Sequence, residues 1–198
     1  MSSKQPAALP LAPLQDLVAW LEAEGVPGVI IGGLAVALLG RPRVTRDVDL
    51  VVLLPEDRWK GFLSSGLPFG FVPRGKDTLA FAHQARVLLV RHRPTAIDVD
   101  ISLGALPFEQ ELLARAVAVD LGGIRVPLPT PEDLIITKAV AHRPQDLADI
   151  ESILDAHSSV DRRRVRRWVR EFASALEAPE LIEDLETILS RRRKGRKR

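Results

Sequence analysis

Asp47 and Asp49 lie two residues apart within the apolar run RDVDLVVLL, and Gly32-Gly33 precede them in GGLAVALLGRPRVTRDVDLVV. On a strand, period two puts Asp47, Asp49 and Val51 on one face and Val48, Leu50 and Val52 on the other. The two carboxylates then stand roughly 7 Å apart at their Cα atoms. Unpaired carboxylates in such a place are costly, so a metal, a cation or water must neutralise them. Mg²⁺ is bound by one or two carboxylates together with substrate phosphates, and a third carboxylate completes a site for two ions. AIDVDISL repeats the alternation and offers Asp98 and Asp100 on a single face. Glycines between a strand and a helix let backbone N–H groups approach phosphate oxygens, which the helix N-terminus also favours. A Gly32-Gly33 phosphate cradle, the Asp47/Asp49 pair and a third carboxylate are the parts needed for nucleotidyl transfer from an NTP.

These residues need a scaffold, and hydrophobic periodicity outlines one. Leu14, Leu17, Val18 and Leu21 repeat at helical spacing up to Gly25. GVIIGG is a short apolar strand running into Gly32-Gly33, LAVALLG is a compact helix ended by Gly40, and RDVDLVVLL is the next strand. PEDRWKGFLSSG reads as helical. TLAFAH and ARVLLVRH are strand candidates, and a turn at Pro94 leads into the strand AIDVDISL. PFEQELLARAVAVDL is expected to be one amphipathic helix, GGIRVPLP a strand, and TPEDLIITKAVAH a helix opened by Thr130, Pro131 and Asp133. Everything from Pro144 on reads as helix. The expected class is α+β: a small mixed β-sheet with flanking helices, followed by C-terminal helices.

Composition narrows the setting. The chain has 198 residues, 46% hydrophobic and 27% charged, and a formal net charge of +2. Seven of the 28 basic residues fall in the last eight positions, RRRKGRKR, and the other 21 face 26 acidic residues. The body is therefore mildly acidic and the end is a polycation, which attracts nucleic acid in a salt-dependent, sequence-blind way. There is no cysteine, so disulfides and thiolate metal sites are excluded and a reducing, cytoplasmic compartment is expected. No window approaches ~20 apolar residues free of charge, so no membrane span is expected. The expected organisation is a loose leader over residues 1–13, a main domain over 14–156, a helical extension over 157–190 and the basic tail over 191–198.

The stretch from Gly32 to Leu50 resembles the opening motif of the DNA polymerase β-like nucleotidyltransferase superfamily. It is most similar to small bacterial branches such as the abortive-infection (AbiEii-type) toxin nucleotidyltransferases. In these, a Gly-Gly or Gly-Ser pair precedes the D-x-D strand by about the 13 residues that separate Gly33 from Asp47 here. The segment PTPEDLIITKAVAHRPQDLADIESIL resembles the same branch, with a lysine followed by an R-x-x-D-x-x-D element. The resemblance implies a nucleotidyltransferase fold in which Asp47 and Asp49 bind metal and Gly32 and Gly33 hold triphosphate. It favours Asp100 as the third carboxylate, because ISLGALPFE follows it, with Asp98 able to share or take over that role. It makes Lys138 the cation nearest the phosphates and leaves Arg143, Asp146 and Asp149 to orient helices. It also implies Mg²⁺, two ions being plausible, an NTP substrate, and a cognate antitoxin as partner; the basic end of the chain makes RNA (tRNA-like) the expected acceptor, with a protein hydroxyl as the rival.

Other residues carry weaker signals. Thr45 and Arg46 stand at the strand entrance, either to contact nucleotide or to shape the backbone, and Thr45 suits the second role. VDRRRVRRWVR offers six arginines and Trp168, either an RNA grip or a solvated helix face with Trp168 in the core. His83, His92, His142 and His157 have no metal-ligand spacing. Two other functions fit parts of the pattern: a non-catalytic nucleotide- or RNA-binding regulator on the same fold, and a glycosyltransferase whose D-x-D binds sugar-nucleotide.

Overall fold

The structure, a computed structural model, describes residues 9–195 other than 43 and 46. Most of the expected leader, Arg46 and the last three residues of the basic tail lie outside the described residues. The chain forms two compact units: Met1–Ala37 with Pro42–Thr130, and Leu38–Arg41 with Pro131–Arg198. No helix among the described residues is long and apolar enough to cross a membrane.

The first unit is built on a five-stranded sheet in the order β1-β2-β5-β4-β3. Its strands are β1 (Gly28–Ile31), β2 (Asp47–Val52), β3 (Phe71–Pro73), β4 (Val87–His92) and β5 (Ile97–Leu103). β2 and β5 run parallel, and every other pairing is antiparallel. Alternation sorts the strands into two faces. Val48, Leu50, Leu88, Val90, Val99 and Ile101 are fully buried, while the residues between them remain partly open. Helix α1 (Leu11–Ala23) contributes Leu14, Leu17 and Trp20 to this core. Trp20 stacks on Phe62 of α3 (Trp59–Ser65) at 4.3 Å and on Phe71 at 5.2 Å. Gly25, at φ +60°, ends α1 in a left-handed turn, and Val26 N–H bonds back to the Leu21 carbonyl at 2.9 Å.

Two expectations need correction. TLAFAH is not a strand but helix α4 (Thr78–Ala85), in which the buried residues Thr78 and Ala82 are one helical turn apart. Its three alanines favour helix, and a six-residue apolar run is too short for periodicity to decide. PFEQELLARAVAVDL splits into helix α5 (Pro107–Ala114) and strand β6 (Val117–Leu121). β6 forms a hairpin with β7 (Ile124–Leu128) through Gly122 and Gly123, both at positive φ. The Gly-Gly turn and the β-branched Val117 and Val119 outweigh the helical periodicity upstream.

In the second unit, α6 (Pro131–Ala141), α7 (Pro144–Ala156), α8 (Arg162–Ala175) and α9 (Glu180–Gly195) bury Leu134, Ile135, Ile136, Ile150, Ile153 and Val169. α6 packs on α7, α8 and α9. The compact units therefore meet in sequence at Thr130–Pro131, whereas the sequence reading keeps α6 and α7 with the strands up to residue 156. Asp161 caps α8, accepting from Arg163 N–H at 2.9 Å and Arg164 N–H at 3.2 Å.

Candidate active site

The partly open face of the sheet carries the acidic residues. The parallel register pairs Asp47 with Asp98 and Asp49 with Asp100, so two D-x-D segments lie side by side on adjacent strands. Neighbouring strands are only about 4.8 Å apart, which makes the four carboxylates one electrostatic group. Asp47 is exposed, and Asp49, Asp98 and Asp100 are half-buried. Thr45 shapes the entrance to β2: its hydroxyl donates to the Asp47 carbonyl at 2.7 Å and lies 3.3 Å from the Asp47 carboxylate.

Gly32 joins this group from β1, whose last residue, Ile31, pairs with Asp49. Gly32 opens helix α2 (Gly32–Leu39) at φ +65°. A Cβ at this position would overlap the Asp49 carboxylate, reaching Cγ at 2.6 Å and even Asp49 Cβ at 2.8 Å. Only glycine satisfies both the left-handed backbone and this close approach. Gly33 follows as a buried residue in the first turn of α2.

The sequence reading did not single out two arginines that the sheet brings to this face. Arg74, just past β3, places one guanidinium nitrogen 3.0 Å from Asp98 and the other 2.8 Å from Asp100. Arg91 of β4 is paired with Asp98 in the register and binds it in a fork, at 2.6 and 3.1 Å. No local motif marks either arginine; only the order β5-β4-β3 brings them opposite the acidic strand. Asp98 and Asp100 therefore differ. The hydrogen bond from Arg91 chiefly holds the Asp98 carboxyl below its ordinary pKa, and Arg74 adds to this against the effect of burial. Burial chiefly raises Asp100, and the like charges of Asp47 and Asp98 also raise it, against the pull of Arg74.

The all-oxygen donor set on this face suits a hard divalent ion such as Mg²⁺, and the absence of a Cβ at Gly32 lets the Asp49 carboxylate lie against the backbone that opens α2. Among the described residues, no three His, Cys, Asp or Glu side chains are gathered closely enough to hold an ion, and the Asp100 carboxylate is turned to Arg74 instead. The residues present fit the metal in type, with a guanidinium as the present counter-cation.

Lys138 belongs to the second unit, where it is 4% exposed and its Nζ lies 2.8 Å from Asp146 and 3.0 Å from Asp149. The expected phosphate cation is thus neutralised by the R-x-x-D-x-x-D element itself. Arg143 also binds Asp146, at 2.6 Å. Burial pushes the Asp146 carboxyl up, but hydrogen bonds from Arg143 and Lys138 outweigh it and the net shift is downward. On α8, Trp168 is 8% exposed and belongs to the core, so it offers no platform for a base.

The parallel pair of acidic strands beside a strand–glycine–helix turn is the arrangement that the sequence reading expects of a nucleotidyltransferase. The chain belongs to the AbiEii nucleotidyl transferase toxin family of type IV toxin–antitoxin systems, whose profile matches residues 16–195. Solved structures share the fold. An antigenic nucleotidyltransferase-like protein from Paracoccidioides brasiliensis is 20% identical, with a TM-score of 0.54 over 92% of this chain and 95% of that one. The antibiotic-resistance factor ANT(2'')-Ia is 18% identical, with a TM-score of 0.57 over 86% and 94%. The lincosamide antibiotic adenylyltransferase LnuA is 13% identical, with a TM-score of 0.53 over 77% and 100%. No curated protein gives a significant match.

Proposed function

We propose that this nucleotidyltransferase moves a nucleoside monophosphate from an NTP to a hydroxyl of RNA, with a tRNA-like 3′ end as acceptor, in a Mg²⁺-dependent reaction. The observation that carries this reading is the register that sets Asp47 and Asp49 beside Asp98 and Asp100, with Gly32 pressed against Asp49. Asp47, Asp49 and Asp100 would hold Mg²⁺, which when bound neutralises the triphosphate and stabilises charge on the leaving phosphates. Gly32 and Gly33 receive the triphosphate on backbone N–H groups at the start of α2. Asp100 takes the proton of the acceptor hydroxyl. The freed oxygen bonds to the α-phosphorus as the bond to the β-phosphate oxygen breaks and pyrophosphate leaves. Asp98, bound by two arginines, orients this face, and Lys138 holds α6 to α7.

An RNA acceptor is supported by the polycationic end of the chain and by α8, which exposes Arg163, Arg167 and Arg170 along one side. Membership of a toxin family supports a cognate antitoxin as partner and the cytoplasm as the place of action. One observation favours a second reading, a regulator that binds nucleotide or RNA without transfer: Asp100 is already neutralised by Arg74. The test is incubation with Mg²⁺, total RNA, total protein and each α-³²P-labelled NTP in turn. Label in RNA from one NTP supports the proposal. Label in protein alone moves the acceptor to a protein hydroxyl, and NTP binding with no label anywhere supports the regulator.

A further inference from the structure

The same guanidinium bridges Asp98 and Asp100, and the two carboxylates differ in what else neutralises them. Arg91 already binds Asp98 in a fork, so Asp98 stays neutralised if Arg74 leaves. Asp100 is joined to Arg74 at 2.8 Å, and both side chains retain access to solvent, 25% for Arg74 and 36% for Asp100. Arg74 also stands at the end of the edge strand β3, its backbone N–H bonded to the Leu89 carbonyl at 2.9 Å and its side chain reaching across β4. Its anchorage is thus at the backbone, and the guanidinium can change partner without unzipping the sheet.

We propose that Arg74 is an exchangeable counter-cation of the active site: it neutralises Asp100 in the unloaded protein and gives that carboxylate up when divalent metal arrives. This rests on the reading that Asp47, Asp49 and Asp100 are the metal ligands. Asp100 is a costly carboxylate to leave alone, half-buried with Asp47 and Asp98 adding like charge, so a resident cation keeps the unloaded face from repelling itself. The same ion pair competes with metal, so Arg74 sets a threshold of metal or metal–nucleotide concentration below which the site stays unassembled. Asp47, Asp49 and Asp100 then gather around the ligand only when it is present, while Asp98 stays with Arg91.

Mn²⁺ serves as the probe, with unbound ion read by its electron paramagnetic resonance signal in the full-length protein and no nucleotide or acceptor added. Arg74→Gln is expected to bind Mn²⁺ about tenfold more tightly than wild type, the order of one charge-assisted hydrogen bond lost to the competitor. Arg74→Lys, which keeps the charge, returns the affinity towards wild type. Arg91→Gln removes the same charge from the same face but takes a partner only from Asp98, which Arg74 still holds, and is expected to stay within about twofold of wild type. An equal gain in Arg91→Gln and Arg74→Gln would mean that net charge, not exchange at Asp100, is responsible, and would overturn the proposal. If Asp47→Asn abolishes Mn²⁺ binding while Arg74→Gln leaves it unchanged, exchange fails and the metal site stands. If Asp47→Asn binds like wild type, the underlying metal reading fails instead. Should Arg74→Gln not fold, the wild type still decides. Titrating Mg²⁺ into ¹⁵N-arginine-labelled protein should shift one side-chain Nε–H resonance that Arg74→Lys lacks, and no shift there refutes the exchange.

Discussion

Replacing Gly32 with alanine tests the geometry of the site through a single methyl group. Two costs are written into the position. The backbone sits at φ +65°, where a residue with a Cβ costs about 1–2 kcal/mol. The added Cβ also meets Asp49, and rotating the carboxylate removes only part of the conflict, because Asp49 Cβ, fixed by β2, lies 2.8 Å away. Overpacking of this kind adds about 1–3 kcal/mol. Gly25 provides the matched control, since its φ is +60° and an added Cβ meets nothing within 4 Å. Gly25→Ala should therefore lose only the first part, roughly 2–8 °C in Tm for a chain of this size, and keep full transfer activity. Gly32→Ala should melt lower still and lose transfer by about a hundredfold, because an ångström of misplacement at a reacting group costs that much. Thermal melts followed by circular dichroism, beside transfer of label from an α-³²P NTP, read both. If Gly32→Ala melts with Gly25→Ala and transfers label like wild type, Gly32 is not pressed against a catalytic carboxylate and the reasoning fails.

The buried ion pairs of the second unit make separate predictions. Lys138→Met leaves Asp149 without its lysine in a dry setting and should destabilise the protein by about 3–5 kcal/mol in urea unfolding, whereas a loss under about 1 kcal/mol would show the triad contributes little. Acid should weaken the same cluster. The Asp146 carboxyl titrates below its ordinary value of 3.8 in the folded state, so its contribution is present above that value and is lost as pH falls through the lower folded one. Asp146→Asn should flatten this acid limb of the stability curve, and an unchanged limb would assign the acid sensitivity to other carboxylates.

The layout of the candidate site was largely legible because it rests on local rules. Period two makes Asp47 and Asp49 share a face whatever surrounds them, and a glycine pair at a strand–helix junction implies close backbone approach. The residues alone left Asp98 and Asp100 open, because both lie on one face of one strand, and only the resemblance favoured Asp100. What separates them is which arginines reach across β4, and that depends on the sheet order β1-β2-β5-β4-β3. Lys138 shows the same limit. Its partners Asp146 and Asp149 stand eight and eleven residues on, but only the packing of α6 on α7 brings the lysine to them. The errors at TLAFAH and AVAVDL are of another kind. Short alanine- and valine-rich runs satisfy both periods, so the neighbouring residues decide, and Gly122-Gly123 decided for a hairpin.

The central claim is that the carboxylates of β2 carry the chemistry. Its most direct measurement is the rate at which α-³²P label leaves an NTP for the acceptor, in wild type and in Asp47→Asn and Asp49→Asn, with circular dichroism on each. Asn keeps the shape and removes the charge, so the account predicts native folds in both variants and loss of transfer by at least about a thousandfold, several kcal/mol of transition-state stabilisation. Transfer at wild-type rate in either folded variant would contradict it.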